Sequence, residues 1–98
     1  MTSPLQGIRV LELGQLIAGP FCGQMLADFG AEVIKVEAPK VGDPMRQWGR
    51  PDKDGNPAWW SVIGRNKKSI TLNLRLEAGQ DILKELIKDA DILIENFR

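Results

Sequence analysis

Apolar and polar positions change period several times along the chain, and each change marks an element. Ile8, Val10, Leu11 and Leu13 form a nearly continuous apolar run that stops at Gly14, the pattern of a strand buried on both faces of a parallel sheet. After small residues at Ala18 and Gly19, Pro20 sits where a helix would begin. Phe21, Cys22, Met25, Leu26 and Phe29 then recur at helical spacing, which predicts a core-facing stripe with Cys22 in it. Gly30 supplies a left-handed stop, and Val33, Ile34 and Val36 make a second strand, parallel to the first through a right-handed crossover. Residues 1–37 therefore read as a βαβ unit.

Regular periodicity lapses from Ala38 to Asn66, where Pro39, Gly42, Pro44, Gly49 and Pro51 alternate with Trp48, Trp59 and Trp60. Long irregular connections are uncommon in compact domains unless they function or pack on something, and three tryptophans favour packing. Trp59 to Ile63 reads as a short helical turn. Ile70, Leu72 and Leu74 alternate with polar residues, a half-exposed strand suited to a sheet edge. Ala78, Ile82, Leu83, Leu86 and Ile87 form the apolar face of a second helix, and Ile92 to Ile94 form a last buried strand. The order β-α-β-loop-β-α-β is half of a doubly wound sheet, so the expected fold is α/β, a Rossmann-like parallel sheet with flanking helices. The chain ends directly after a strand, where such a fold turns into its next helix, and is expected to be the N-terminal part of a longer polypeptide.

Composition narrows the function. Thirteen basic and thirteen acidic residues cancel, so no net field favours a nucleic acid or an anionic membrane, and small molecules or protein are the expected partners. Apolar residues at 43% and charged residues at 27% are those of an ordinary globular protein. A single cysteine, and neither an apolar stretch of membrane length nor a signal-peptide pattern, lead us to expect a cytoplasmic protein. The chain has no histidine, which removes the commonest general base and most zinc sites, and no metal is expected.

In open parallel sheets, ligands gather outside the carboxyl ends of the strands. Four segments arrive there: Gly14 to Pro20, Glu37 to Lys40, Asn73 to Arg75, and Glu95 to Arg98. A dinucleotide site is disfavoured, because glycines at 14, 19 and 23 do not match the spacing that a pyrophosphate-binding turn requires. Lys40, Arg46, Arg50, Arg65, Lys67 and Lys68 are cations within reach of a phosphorylated ligand, although at least half of them should simply be solvated. Glu37 and Glu95 are acid, base or nucleophile candidates by position alone.

Four blocks, GIRVLELGQLIAGPFCGQMLADFGAEVIKVEAP, GDPMRQWG, GRNKKSITLNL and ADILIENFR, stand in this order from Leu5 to Arg98. Together they resemble the N-terminal region of the class III CoA-transferases, the CaiB/BaiF type that includes formyl-CoA and carnitine CoA-transferases. The resemblance implies an enzyme that moves CoA from an acyl-CoA to a free carboxylic acid through an aspartate-bound mixed anhydride. Its nucleophilic aspartate would lie beyond this chain, so no catalytic residue is expected among these 98. Coenzyme A would be substrate rather than cofactor, and the full-length protein an interlocked homodimer. By resemblance, CoA contacts fall on Ile17, Ala18, Ala38, Leu72, Asn73, Leu74, Arg75, Asn96, Phe97 and Arg98. Ile17 and Ala38 depart from the formyl-CoA type, which has glutamine and arginine there. The first departure argues against a formyl or oxalate substrate, and the second makes Lys40 or Arg75 the candidate phosphate contact. The α-methylacyl-CoA racemases share GPFC and LADFGA, but a long Arg46 to Asn66 segment favours the transferase over that alternative. A non-catalytic CoA-binding module is the third reading.

Overall fold

The computed structural model of the chain describes residues 2–97. Four parallel strands form one sheet in the order β3-β2-β1-β4. They are β1 (Arg9–Glu12), β2 (Glu32–Glu37), β3 (Lys67–Thr71) and β4 (Ile92–Ile94), with helices α1 (Ala18–Asp28), α2 (Ala58–Ile63) and α3 (Glu77–Ile87) between them. The α/β class, the element order and the edge position of β3 agree with the reading from sequence.

Parallel pairing explains the composition of the central strands. Val10 pairs with Val33 and Leu11 with Ile34, and Val10, Leu11 and Val33 are sealed from solvent. Val10, Val33, Ala27, Ala31 and Ile94 make the core between the sheet and α1, with Leu5, Ile8 and Leu26 packed against it. The next pair in register is Glu12 opposite Lys35, so the apolar pairs in the middle of the strands give way to charge at their carboxyl ends.

Helix α1 corrects the expected stripe. Its buried residues are Gly19, Pro20, Gly23, Gln24 and Ala27, whereas Phe21, Met25 and Phe29 are about half exposed and Cys22 is exposed rather than in the core. A methyl group at Gly23 would run into the Glu12 carboxylate. The helix therefore lies close to the sheet at Gly23, and Phe21, Met25 and Phe29 face outward while Leu26 packs on the core. Helix α1 also starts at Ala18, earlier than Pro20 suggests.

The segment over 38–66 is less irregular than expected. It contains a 3-10 helix over Pro44–Gln47 and then α2, which covers the predicted helical turn. Trp48 and Trp59 meet edge to face, with ring centroids 6.1 Å apart, and the Arg46 guanidinium lies 4.0 Å from the Trp60 ring centre. Two further boundaries shift. β3 ends at Thr71, so Leu72 and Leu74 belong to the loop that follows, and in β4 only Ile94 is buried while Ile92 and Leu93 are exposed. The expected burial of the last strand holds only at its final residue, because α3 leaves Ile82 and Ile87 open to solvent instead of covering the sheet edge. Among the described residues, no helix is long and apolar enough to cross a membrane.

Candidate functional site

Two depressions lie at the carboxyl ends of the strands. A cleft of about 380 Å³ is lined by Ala38 after β2, by Leu72, Asn73, Leu74 and Arg75 after β3, and by Phe97 after β4. A hollow of about 410 Å³ beside it is lined by Leu16, Ile17, Ala18 and Asn96. Gln15 and Phe97 line both, so the two adjoin. Every described residue that the resemblance singles out as a CoA contact thus falls on one surface, and Arg98 lies outside the described residues. Lys40 lines a shallower depression of about 260 Å³ that meets the cleft at Glu37 and Ala38.

The loop between β1 and α1 owes its shape to residues distant in sequence. Asn96 accepts a hydrogen bond from the Gln15 amide and donates one to the Gln15 carbonyl, both at 3.0 Å, so its carboxamide acts as one more rung of the β1–β4 ladder. Asp43 accepts from the Leu16 amide at 3.2 Å and from the Met45 amide at 2.9 Å, capping the 3-10 helix while it ties down the loop. Leu16 has φ 66°, a left-handed conformation costly for a residue with a Cβ, and it persists only where the surroundings hold it.

Beneath this loop lies a group of charges of which the sequence reading names only Lys67. Lys35 Nζ stands 2.6 Å from Glu12 Oε2 and 2.7 Å from Asp43 Oδ2, and Lys67 Nζ stands 2.6 Å from Glu12 Oε1. The last contact lacks hydrogen-bond alignment, so Glu12 Oε1 is satisfied by charge rather than by a directed bond. Burial pushes the Lys67 ammonium below its ordinary value, against the opposing pull of Glu12. The available signal was a glutamate and a lysine inside runs otherwise typical of strands buried on both faces.

Glu37, a candidate acid or base by position, is a structural carboxylate. Burial would raise its pKa, but bonds from the Arg46 guanidinium at 2.7 Å, the Ser69 hydroxyl and the Asp43 amide outweigh burial and hold it at about 2. A carboxylate held this firmly in its charged form is a poor proton donor or acceptor near pH 7. Glu95 is exposed and accepts from the Phe97 amide at 2.9 Å. The candidate cations sort in the same way. Arg46 is held by Glu37, Arg65 by Asp28, Lys67 by Glu12 and Lys68 by Glu32, which leaves Lys40, Arg50 and Arg75 without an ion-pair partner among the described residues.

The model of CoA-transferase family III matches residues 5–98. The chain belongs to the class III CoA-transferase family. Its similarity to individual members is high along its whole length. It is 61% identical over 95 residues to a succinyl-CoA--D-citramalate CoA-transferase of Chloroflexus aurantiacus, covering 97% of this chain and 24% of that protein. It is 46% identical over 97 residues to a formyl-CoA:oxalate CoA-transferase of Escherichia coli, covering 99% of this chain and 23% of that protein. Among solved structures, a CaiB/BaiF family protein from Brucella suis superposes with a TM-score of 0.87 at 42% identity, over 99% of this chain and 26% of that one. The chain thus spans about a quarter of the length of the family members it matches.

Proposed function

We propose that this chain is the CoA-binding N-terminal part of an acyl-CoA:carboxylate CoA-transferase, whose nucleophilic carboxylate is supplied by polypeptide outside these residues. The observation that carries this reading is the convergence of Ile17, Ala18, Ala38, Leu72 to Arg75, Asn96 and Phe97 on two adjoining depressions at the strand ends. Such a surface suits a long, thin ligand with a flat base at one end and charge near it. Leu72 and Leu74 offer apolar walls for the base, Arg75 and Lys40 offer cations for the phosphates, and the hollow at Ile17 and Phe97 receives the thiol end. Glu37 supports an external nucleophile, because both of its oxygens are occupied by Arg46, Ser69 and the Asp43 amide.

The donor we favour is succinyl-CoA rather than formyl-CoA. The greater identity is with the citramalate enzyme, and Ile17 brings an apolar branched side chain to the thiol end, where it cannot hydrogen-bond a small anion. The full-length protein would act as an interlocked homodimer in the cytoplasm. Incubating it with succinyl-CoA and a panel of free carboxylic acids tests the reading: a new acyl-CoA separated by chromatography supports it. Deuterium uptake at the acyl α-carbon without formation of any new thioester would favour a racemase instead, and CoA binding with neither outcome would favour a non-catalytic module.

A further inference from the structure

We propose that the buried quartet Glu12, Lys35, Asp43 and Lys67 is a positioning device that holds residues 14–20 in the shape required by the ligand; this rests on the CoA-binding reading above. The four side chains are at most 2% exposed, and their charges balance, two ammonium groups against two carboxylates. Desolvating four ions is costly, and apolar residues of similar volume would join helix to sheet at least as well, so stability alone is a poor reason for them. What sets them apart is where their remaining hydrogen-bonding capacity goes. Lys35 Nζ donates to the Gly14 carbonyl at 3.0 Å, Lys67 Nζ donates to the Pro20 carbonyl at 2.8 Å, and Asp43 accepts from the Leu16 amide at 3.2 Å. The loop is thereby pinned at its start, its middle and its end by groups of one rigid cluster. Glu12, Lys35 and Lys67 stand on three adjacent strands, the stiffest support available. Leu16 φ and the start of α1 both depend on this wiring, since Ile17 at the helix N-terminus provides no side-chain cap.

The test uses two double variants of the encoded protein, each of which removes one cation and one anion and leaves the cluster neutral. Lys35→Met with Asp43→Asn cuts the Gly14 anchor, while the carboxamide introduced at position 43 keeps an oxygen for the Leu16 amide. Glu12→Gln with Lys67→Met cuts the Pro20 anchor. In the absence of ligand, we expect faster amide hydrogen exchange confined to residues 15–18 in the first variant and to the first turn of α1 in the second, with β1 and β2 unchanged. We also expect the dissociation constant for CoA to rise about tenfold in each, the loss of a preorganised loop. Exchange that accelerates uniformly, or not at all, with an unaltered dissociation constant would overturn the proposal. If either pair fails to fold, the single variant that cuts the same anchor, Lys35→Met for Gly14 or Lys67→Met for Pro20, must show the same local effect. A parent protein that binds no CoA would sink the functional reading, whereas the exchange pattern judges the positioning role by itself.

Discussion

Gly14 lays its bare Cα against the carboxamide of Asn96, and a methyl group there would overlap the Asn96 oxygen. The same oxygen accepts the Gln15 amide, so the two residues together decide where the first loop leaves β1. Gly14→Ala forces one of them to move. Overpacking of this kind costs about 1–3 kcal/mol, and we expect a loss of that size in urea-induced unfolding, together with weaker CoA binding.

Asn96 can be tested through its two-sided use. Aspartate retains the acceptor for the Gln15 amide but sets a carboxylate oxygen against the Gln15 carbonyl, where asparagine donates. Asn96→Asp is therefore expected to be worse than Asn96→Ala for CoA binding, although it is closer in shape. Losing an intramolecular hydrogen bond costs a net of about 0.5–1.5 kcal/mol, and titration calorimetry of both variants checks the ranking.

Much of the fold was legible because parallel strands and small-residue turns leave strong local signatures. β1 and β2 follow directly from Val10, Leu11, Val33, Ile34 and the glycines beside them, and α3 from Ile82, Leu83, Leu86 and Ile87. The buried face of α1 was not legible. An apolar stripe at Phe21, Met25 and Phe29 is normally the buried one, but here Gly19, Gly23 and Ala27 allow a closer approach than large side chains would. Helical periodicity records which residues share a face and not how near that face comes to its neighbour. The strand-end loops of the site were likewise readable from topology. The roles of Arg46, Arg65, Lys67 and Lys68 were not, because whether a loop cation is free or paired depends on carboxylates up to 55 positions away, as with Glu12 and Lys67.

Acid titration isolates the Glu37 cluster. The carboxyl has an ordinary value of 4.5 and is held at about 2 in the fold, so the folded state binds its proton less readily than the unfolded chain. Its contribution is therefore complete above about pH 4.5 and is lost as the pH falls toward 2. Glu37→Gln is expected to be less stable than the parent at pH 7 and to lose less stability across that window. Chemical denaturation at several pH values measures both.

On the proposed reading, phosphate recognition would fall to Lys40 and Arg75, which have no ion-pair partner among the described residues. Lys40→Ala and Arg75→Ala are each expected to weaken CoA binding several-fold at low salt, with a smaller difference at high salt. Lys68→Ala, at the opposite ends of the strands beside Glu32, should leave binding as it was. An unchanged dissociation constant in Lys40→Ala would reject its role.

The central claim is that the turns after the four strands form one cradle for coenzyme A, and amide hydrogen exchange of the encoded protein with and without CoA tests it most directly. The account expects slower exchange at residues 15–18, 38, 72–75 and 96–97 together, and no change along α3. Protection at only one of these segments, or none at saturating CoA, would contradict it.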